Sequence, residues 1–287
     1  MEMNPSAVEA VTLSAGNPLR RYPLLSYFLI AYGFTWIWIL VFLIGFGIPL
    51  ATFTNIPVIL GPTVAGLIMT YVMEGKAGIV HFLHRFVLWR VNVLWYLIAL
   101  VGPAVILNLG MAVLPGAFAT FRPPSAETVQ GFPVFFILVL LIGGPLFEEP
   151  GWRGFALPRM EKKWGPWLGS LILGLLWAFW HFPLFLLPIW AAQNGGFTPM
   201  SVLLYVASVV PFTFLFTWVF NHTRGSLLLT ILLHTGINVL GALTLFQADP
   251  TVAGLIGFGT AALVLLGLTR GRLGYDTYLR DEVQGLT

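Results

Sequence analysis

Eight runs of about 20 apolar residues, joined by short polar connections, constrain this chain more than any other feature of its sequence. Each run is long enough to cross a hydrocarbon layer of roughly 30 Å, and lipid offers the peptide groups no hydrogen-bond partners. The runs must therefore close their own hydrogen bonds, as helices or as a barrel. Continuous apolarity rather than strict alternation selects helices. Composition agrees: 58% of residues are hydrophobic and 9% charged, far below the roughly 25% charged residues of soluble domains. The expected fold class is all-α, a polytopic helical bundle in the cell membrane. The spans are expected at 24–46, 56–73, 93–114, 132–149, 167–189, 202–220, 227–245 and 251–268. A polar N-terminal tail (1–22) precedes the transmembrane domain (23–270), and a C-terminal tail (271–287) follows it. The N-terminal tail has no cleavable-signal pattern, since the first apolar run is itself of spanning length.

The charges order these spans. The connections after 46, 114, 189 and 245 hold one basic residue, Arg122, and the other 13 of the 14 Lys and Arg fall on the opposite side. The positive-inside bias makes that side cytoplasmic, with both termini on it. Tryptophans such as Trp89, Trp95, Trp164, Trp167 and Trp190 flank the runs as interfacial anchors are expected to. Segment 76–92 is basic and amphipathic and is expected to lie along the cytoplasmic surface, with His81 and His84 interfacial. The spacings Gly61 to Gly66 and Gly169 to Gly174 suit close helix packing. The chain has no cysteine, which excludes disulfides and thiolate metal sites. No Gly-rich phosphate loop and no nucleic-acid module is visible.

Against this background, six polar residues stand out: Glu148, Glu149 and Arg153 at the end of the fourth run, His181 in the fifth, and His234 and Asn238 in the seventh. A charged group at mid-membrane costs on the order of 2.5–3.5 kcal/mol on insertion scales, so each needs a partner or a use. Glu149 and Arg153 are four apart, in the favourable order for a helical ion pair. Two adjacent carboxylates resist ionising together while Arg153 favours charge on one, a split that suits a general base. His181 shares a helix face with Trp177, and His234 shares one with Asn238. Singly, each residue has a structural explanation, as a capping ion pair or a packed histidine. Jointly, three spans carry polar groups that need one common interior.

The chemistry open to such a set is amide hydrolysis. A glutamate with His181 can hold a water while His234 and Asn238 donate to the developing oxyanion. Alternatively, Glu148, His181 and His234 can bind a divalent metal such as zinc that acidifies the water. Spacing does not choose between them. Other intramembrane protease signatures are missing: there is no His-Glu-x-x-His, no Gly-x-Ser-x-Gly in any span, and Gly257-Phe-Gly259 is followed by Thr260 rather than aspartate.

The pattern Glu148-Glu149-x-x-x-Arg153, then His181, then His234-x-x-x-Asn238 resembles the three motifs of the CPBP family, the CAAX-protease and bacteriocin-processing (Abi, Rce1-like) intramembrane proteases. The likeness covers about 130–245, and the run EEPGWRGFALPRM is similar to prokaryotic members. The resemblance implies eight helices and an active site opening towards the cytoplasm. It implies that Glu148 activates the water, helped by His181, that Arg153 steadies the glutamates, and that His234 and Asn238 form the oxyanion site. Glu149 is carried over as the second carboxylate. Trp177 departs from the phenylalanine usual in the second motif. The family has been described both as metal-dependent and as glutamate-dependent. The implied partners are the lipid bilayer and a peptide or membrane-anchored protein substrate, prenylated or not, with no nucleic acid. A non-catalytic immunity or partner-binding membrane protein is the alternative, and a proton-relay transporter a third.

Overall fold

The computed structural model describes residues 17–49 and 52–287, so the expected N-terminal tail lies outside the described residues up to position 16. Among the described residues all regular structure is helical. Proline opens helix after helix, at a position where its missing N–H costs nothing. Helix α1 (Pro23–Ile37) continues in π turns through Gly45. Helix α2 (Thr52–His84) breaks at Gly75, whose φ is +66°. Helices α3 (Val93–Leu100) and α4 (Gly102–Ala112) meet at a 46° bend where Pro103 removes a backbone donor. Helix α5 (Ala126–Ile142) starts on the Ser125 cap and ends at Gly143, and α6 (Pro145–Glu149) follows. A π-helical segment, Pro150–Ala156, joins α6 to α7 (Leu157–Trp180), which is broken at Gly165. Helix α8 (Pro199–His222) opens on a Thr198/Ser201 capping box, α9 (Leu227–Asn238) on Ser226, and α10 (Pro250–Leu268) on Asp249. The short α11 (Tyr275–Val283) closes the chain.

Among the described residues, five helical stretches are long and apolar enough to cross a membrane, or six if α3 and α4 form one bent span. One of the five, Ala126–Leu186, runs for 61 residues, about three times what a hydrocarbon core needs. It holds the expected span 132–149, which is interrupted at Gly143–Gly144, and most of the expected span 167–189, which Gly165 sets off from it. The expected span at 227–245 is cut shortest. Helix α9 stops at Asn238 after 12 residues, and the chain turns into a short 3-10 stretch. It can be this short because protein, not lipid, surrounds it: α3, α4, α5, α6 and α8 all pack on it. The loop after it is held from α4, where the Asn108 amide donates to the Leu243 carbonyl and its oxygen accepts from the Leu245 N–H.

Small residues set the helix spacings, as their positions in the sequence predict. Gly61 faces the Ala31 backbone and Thr35, Gly66 faces Gly151, Gly169 faces Met160, and Gly174 faces Thr213. The tightest of these approaches is at Gly151, where a Cβ would lie 2.1 Å from the Pro62 carbonyl oxygen. That oxygen belongs to a buried helix backbone and cannot swing away. Gly151→Ala is therefore expected to push α2 off the π segment and cost about 1–3 kcal/mol. Thermal unfolding in detergent measures this, and a midpoint equal to that of the parent protein would show the contact to be looser.

Candidate active site

The polar centre is built at the α6–π junction. Gly144 takes a φ of +113°, and a Cβ there would come within 2.5 Å of Glu148 Oε1, so only glycine admits the carboxylate in this place. Pro150 has no N–H for the Leu146 carbonyl, and the chain passes into π turns whose seven residues are all buried. Wider turns of this kind recur at functional sites. Here the outcome is that Glu148, Glu149 and Arg153 all point into the bundle and are buried.

Two layers can be distinguished. The inner one centres on Glu149 Oε1, which accepts from Arg153 Nη1 at 2.9 Å and from His234 Nδ1 at 2.8 Å. The Arg153 guanidinium lies between two rings, 4.4 Å from the Trp177 centroid and 3.9 Å from that of Phe216. His234 meets the same two rings edge-on, at 5.3 and 5.6 Å. Burying such charges is costly unless they are paired, and the aromatic faces add a second source of attraction for the cation.

The outer layer faces a cavity of about 850 Å³ whose wall includes Glu148, Trp177, His181, Tyr205, Ile237 and Asn238. The Trp177 indole joins the layers: its Nε1–H donates to Glu148 Oε2 at 3.0 Å while its face carries Arg153. His181 Nδ1 lies 2.9 Å from the Trp177 carbonyl, which can only accept, so that nitrogen carries the proton. In the neutral ring Nε2 is left as an acceptor. The imidazole stacks on Trp190 and meets Trp180 edge-on. Asn238 is exposed to the cavity, and among the described residues no side chain claims its amide.

All six residues singled out in the sequence thus gather around one centre, but they divide. Glu148, His181 and Asn238 line the cavity, whereas Glu149, Arg153 and His234 are not part of its wall. The set considered for a metal, Glu148, His181 and His234, does not assemble. Among the described residues no three His, Asp or Glu side chains are placed to hold an ion. The reason lies with His234: its Nδ1 is turned to Glu149, and the Arg153 cation sits between the rings beside it. Sequence reasoning noted that Trp177 shares the His181 face but not that it binds Glu148. It missed Tyr205, whose ring is 5.5 Å from His181, and Thr63, whose hydroxyl donates to the Phe147 carbonyl. Neither carries a local signal, since both are common residues in apolar helices.

A helical bundle of this composition, with several apolar spans around a charged centre, is a multi-pass membrane protein. Residues 130–240 match the sequence family described as type II CAAX prenyl endopeptidase Rce1-like. The chain is also similar to CAAX prenyl protease 2 of Methanococcus maripaludis, with 27% identity over 183 residues, covering 58% of this chain and 63% of that protein. These two likenesses support the CPBP (CAAX protease) family for this chain. It spans less than two thirds of that curated relative's length.

Proposed function

We propose that the chain is an intramembrane endopeptidase that hydrolyses a peptide bond in the cavity by a glutamate-activated water. The observation that carries this reading is the cavity wall itself. It presents a carboxylate fixed by an indole (Glu148), an imidazole with a free acceptor (His181) and an unclaimed carboxamide (Asn238). Glu148 takes a proton from water as the oxygen attacks the scissile carbonyl carbon, with His181 Nε2 accepting the water's second hydrogen bond. The carbonyl π electrons move onto oxygen, and the Asn238 amide donates to that oxyanion. Collapse re-forms the carbonyl and breaks the C–N bond, and Glu148 returns its proton to the leaving amine. The Glu149–Arg153–His234 layer keeps the centre charged and aligned. Within that layer His234 Nδ1 holds Glu149 at 2.8 Å, outside the cavity wall, so Asn238 is the oxyanion donor of this reading. No step passes through a metal ion.

The name of the Methanococcus relative, CAAX prenyl protease 2, supports a peptide or membrane-anchored protein substrate, prenylated or not. The apolar part of the wall, with Ile59, Leu184, Leu204 and Phe258, suits an apolar chain beside the scissile bond. The test is to reconstitute the purified protein in vesicles with prenylated and unmodified reporter peptides and to identify products by mass. Cleavage is expected, with Asn238→Ala lowering kcat about 10²–10³-fold. Absence of any cleavage across both peptide sets would defeat the assignment.

A further inference from the structure

The catalytic segment is held from outside by side chains that the proposed mechanism does not use. Pro158 has no N–H, so the Gly154 carbonyl cannot receive the ordinary i+4 helical bond. Arg85 Nη1 reaches that carbonyl at 3.3 Å from 69 residues away in sequence. One residue further on, Arg159 Nη1 donates to the Phe155 carbonyl at 3.0 Å. Arg85 is buried, whereas His81, His84 and Arg90 of the same 76–92 segment are exposed as expected of a surface stretch. What buries it is the end of the chain. Its Nη2 donates to the Tyr278 hydroxyl at 2.9 Å, and its guanidinium lies 5.7 Å from the Phe220 ring, which in turn packs on Tyr278. The approach to α11 is anchored separately, by the Asn221 amide, which donates to the Leu273 carbonyl at 3.0 Å and to Glu161 Oε1 at 2.8 Å.

We infer that Arg85 is a positioning residue for the segment 148–156, and that the C-terminal helix α11 locks it there through Tyr278. The inference rests on the endopeptidase reading of that segment. A shift of the π turns of even about 1 Å would move Glu148 and Arg153 relative to the cavity and lower turnover without altering how substrate is held. The chain's last helix, remote from the cavity wall, then sets the rate of the reaction. It is also accessible: its Leu279 and Val283 are exposed, so a ligand that displaces α11 would act on the catalytic segment.

The experiment compares Arg85→Met, Arg85→Lys, Tyr278→Phe and Glu148→Gln in vesicles, with activity scaled to the folded fraction and thermal midpoints recorded alongside. Arg85→Met is expected to lower kcat about 10-fold or more with KM unchanged, and Arg85→Lys to recover part of that loss. Tyr278→Phe removes one oxygen and is expected to lower kcat by about 3-fold with an unshifted midpoint. Normal kcat in both Arg85→Met and Tyr278→Phe overturns the inference, as does a loss in Arg85→Met that disappears on scaling to folded protein. Glu148→Gln separates the two readings. If it stays active, the endopeptidase mechanism fails; if it is inactive while the other variants are normal, only the positioning role fails.

Discussion

Glu148→Gln is expected to lower kcat about 10²–10⁴-fold while leaving the fold intact. The substitution keeps the side chain's shape and an oxygen for the Trp177 Nε1–H, so the 3.0 Å bond survives. What disappears is the ability to take a proton from water and hand it to the departing amine. Because Gly144 and Trp177 hold the carboxylate on two sides, a shorter Glu148→Asp side chain would keep the base but withdraw it from the water. Its rate should fall between those of the parent and the glutamine variant. Steady-state cleavage of a reporter peptide measures both. Undiminished turnover in Glu148→Gln would move the base elsewhere in the cavity and remove this residue from the mechanism.

The second large effect is on stability. Arg153→Met is expected to destabilise the protein by about 3–5 kcal/mol, because it leaves Glu149 with no cation beyond what His234 can provide. Arg153→Lys should restore little. A lysine cannot present a flat guanidinium to the Trp177 and Phe216 rings while also reaching Glu149. The pair predicts non-additivity: Glu149→Gln combined with Arg153→Met should cost clearly less than the two single changes summed. Unfolding in detergent with a double-mutant cycle gives the coupling directly. Additive losses would mean that the two residues act independently.

The six polar residues of the centre were legible because an ionisable side chain inside an apolar run has no inexpensive surroundings other than one another. Their division into two layers was not. It depends on Trp177, whose indole bridges Glu148 and Arg153 across helices, and a four-residue spacing puts Trp177 on the His181 face without showing which carboxylate its N–H meets. The burial of Arg85 was not legible for a related reason. Locally it belongs to a basic amphipathic stretch, and the partner that buries it, Tyr278, comes 193 residues later. Most spans were legible from apolar length alone, whereas α9 was not. The apolar run from 227 to 245 continues past Asn238, but Asn108 of α4 captures the backbone at 243 and 245 and holds it in a loop.

Helix α9 carries a consequence for how the protein sits in the membrane. At 12 residues it is about 18 Å long, well short of a bilayer's oily interior, and it brings His234 and Asn238 with it. Released alone among acyl chains, it would have no stable depth. Its place in the membrane therefore depends on the helices that enclose it, α3, α4, α5, α6 and α8. Without α9 in place Glu149 would keep Arg153 but lose His234, and the cavity would lose Asn238.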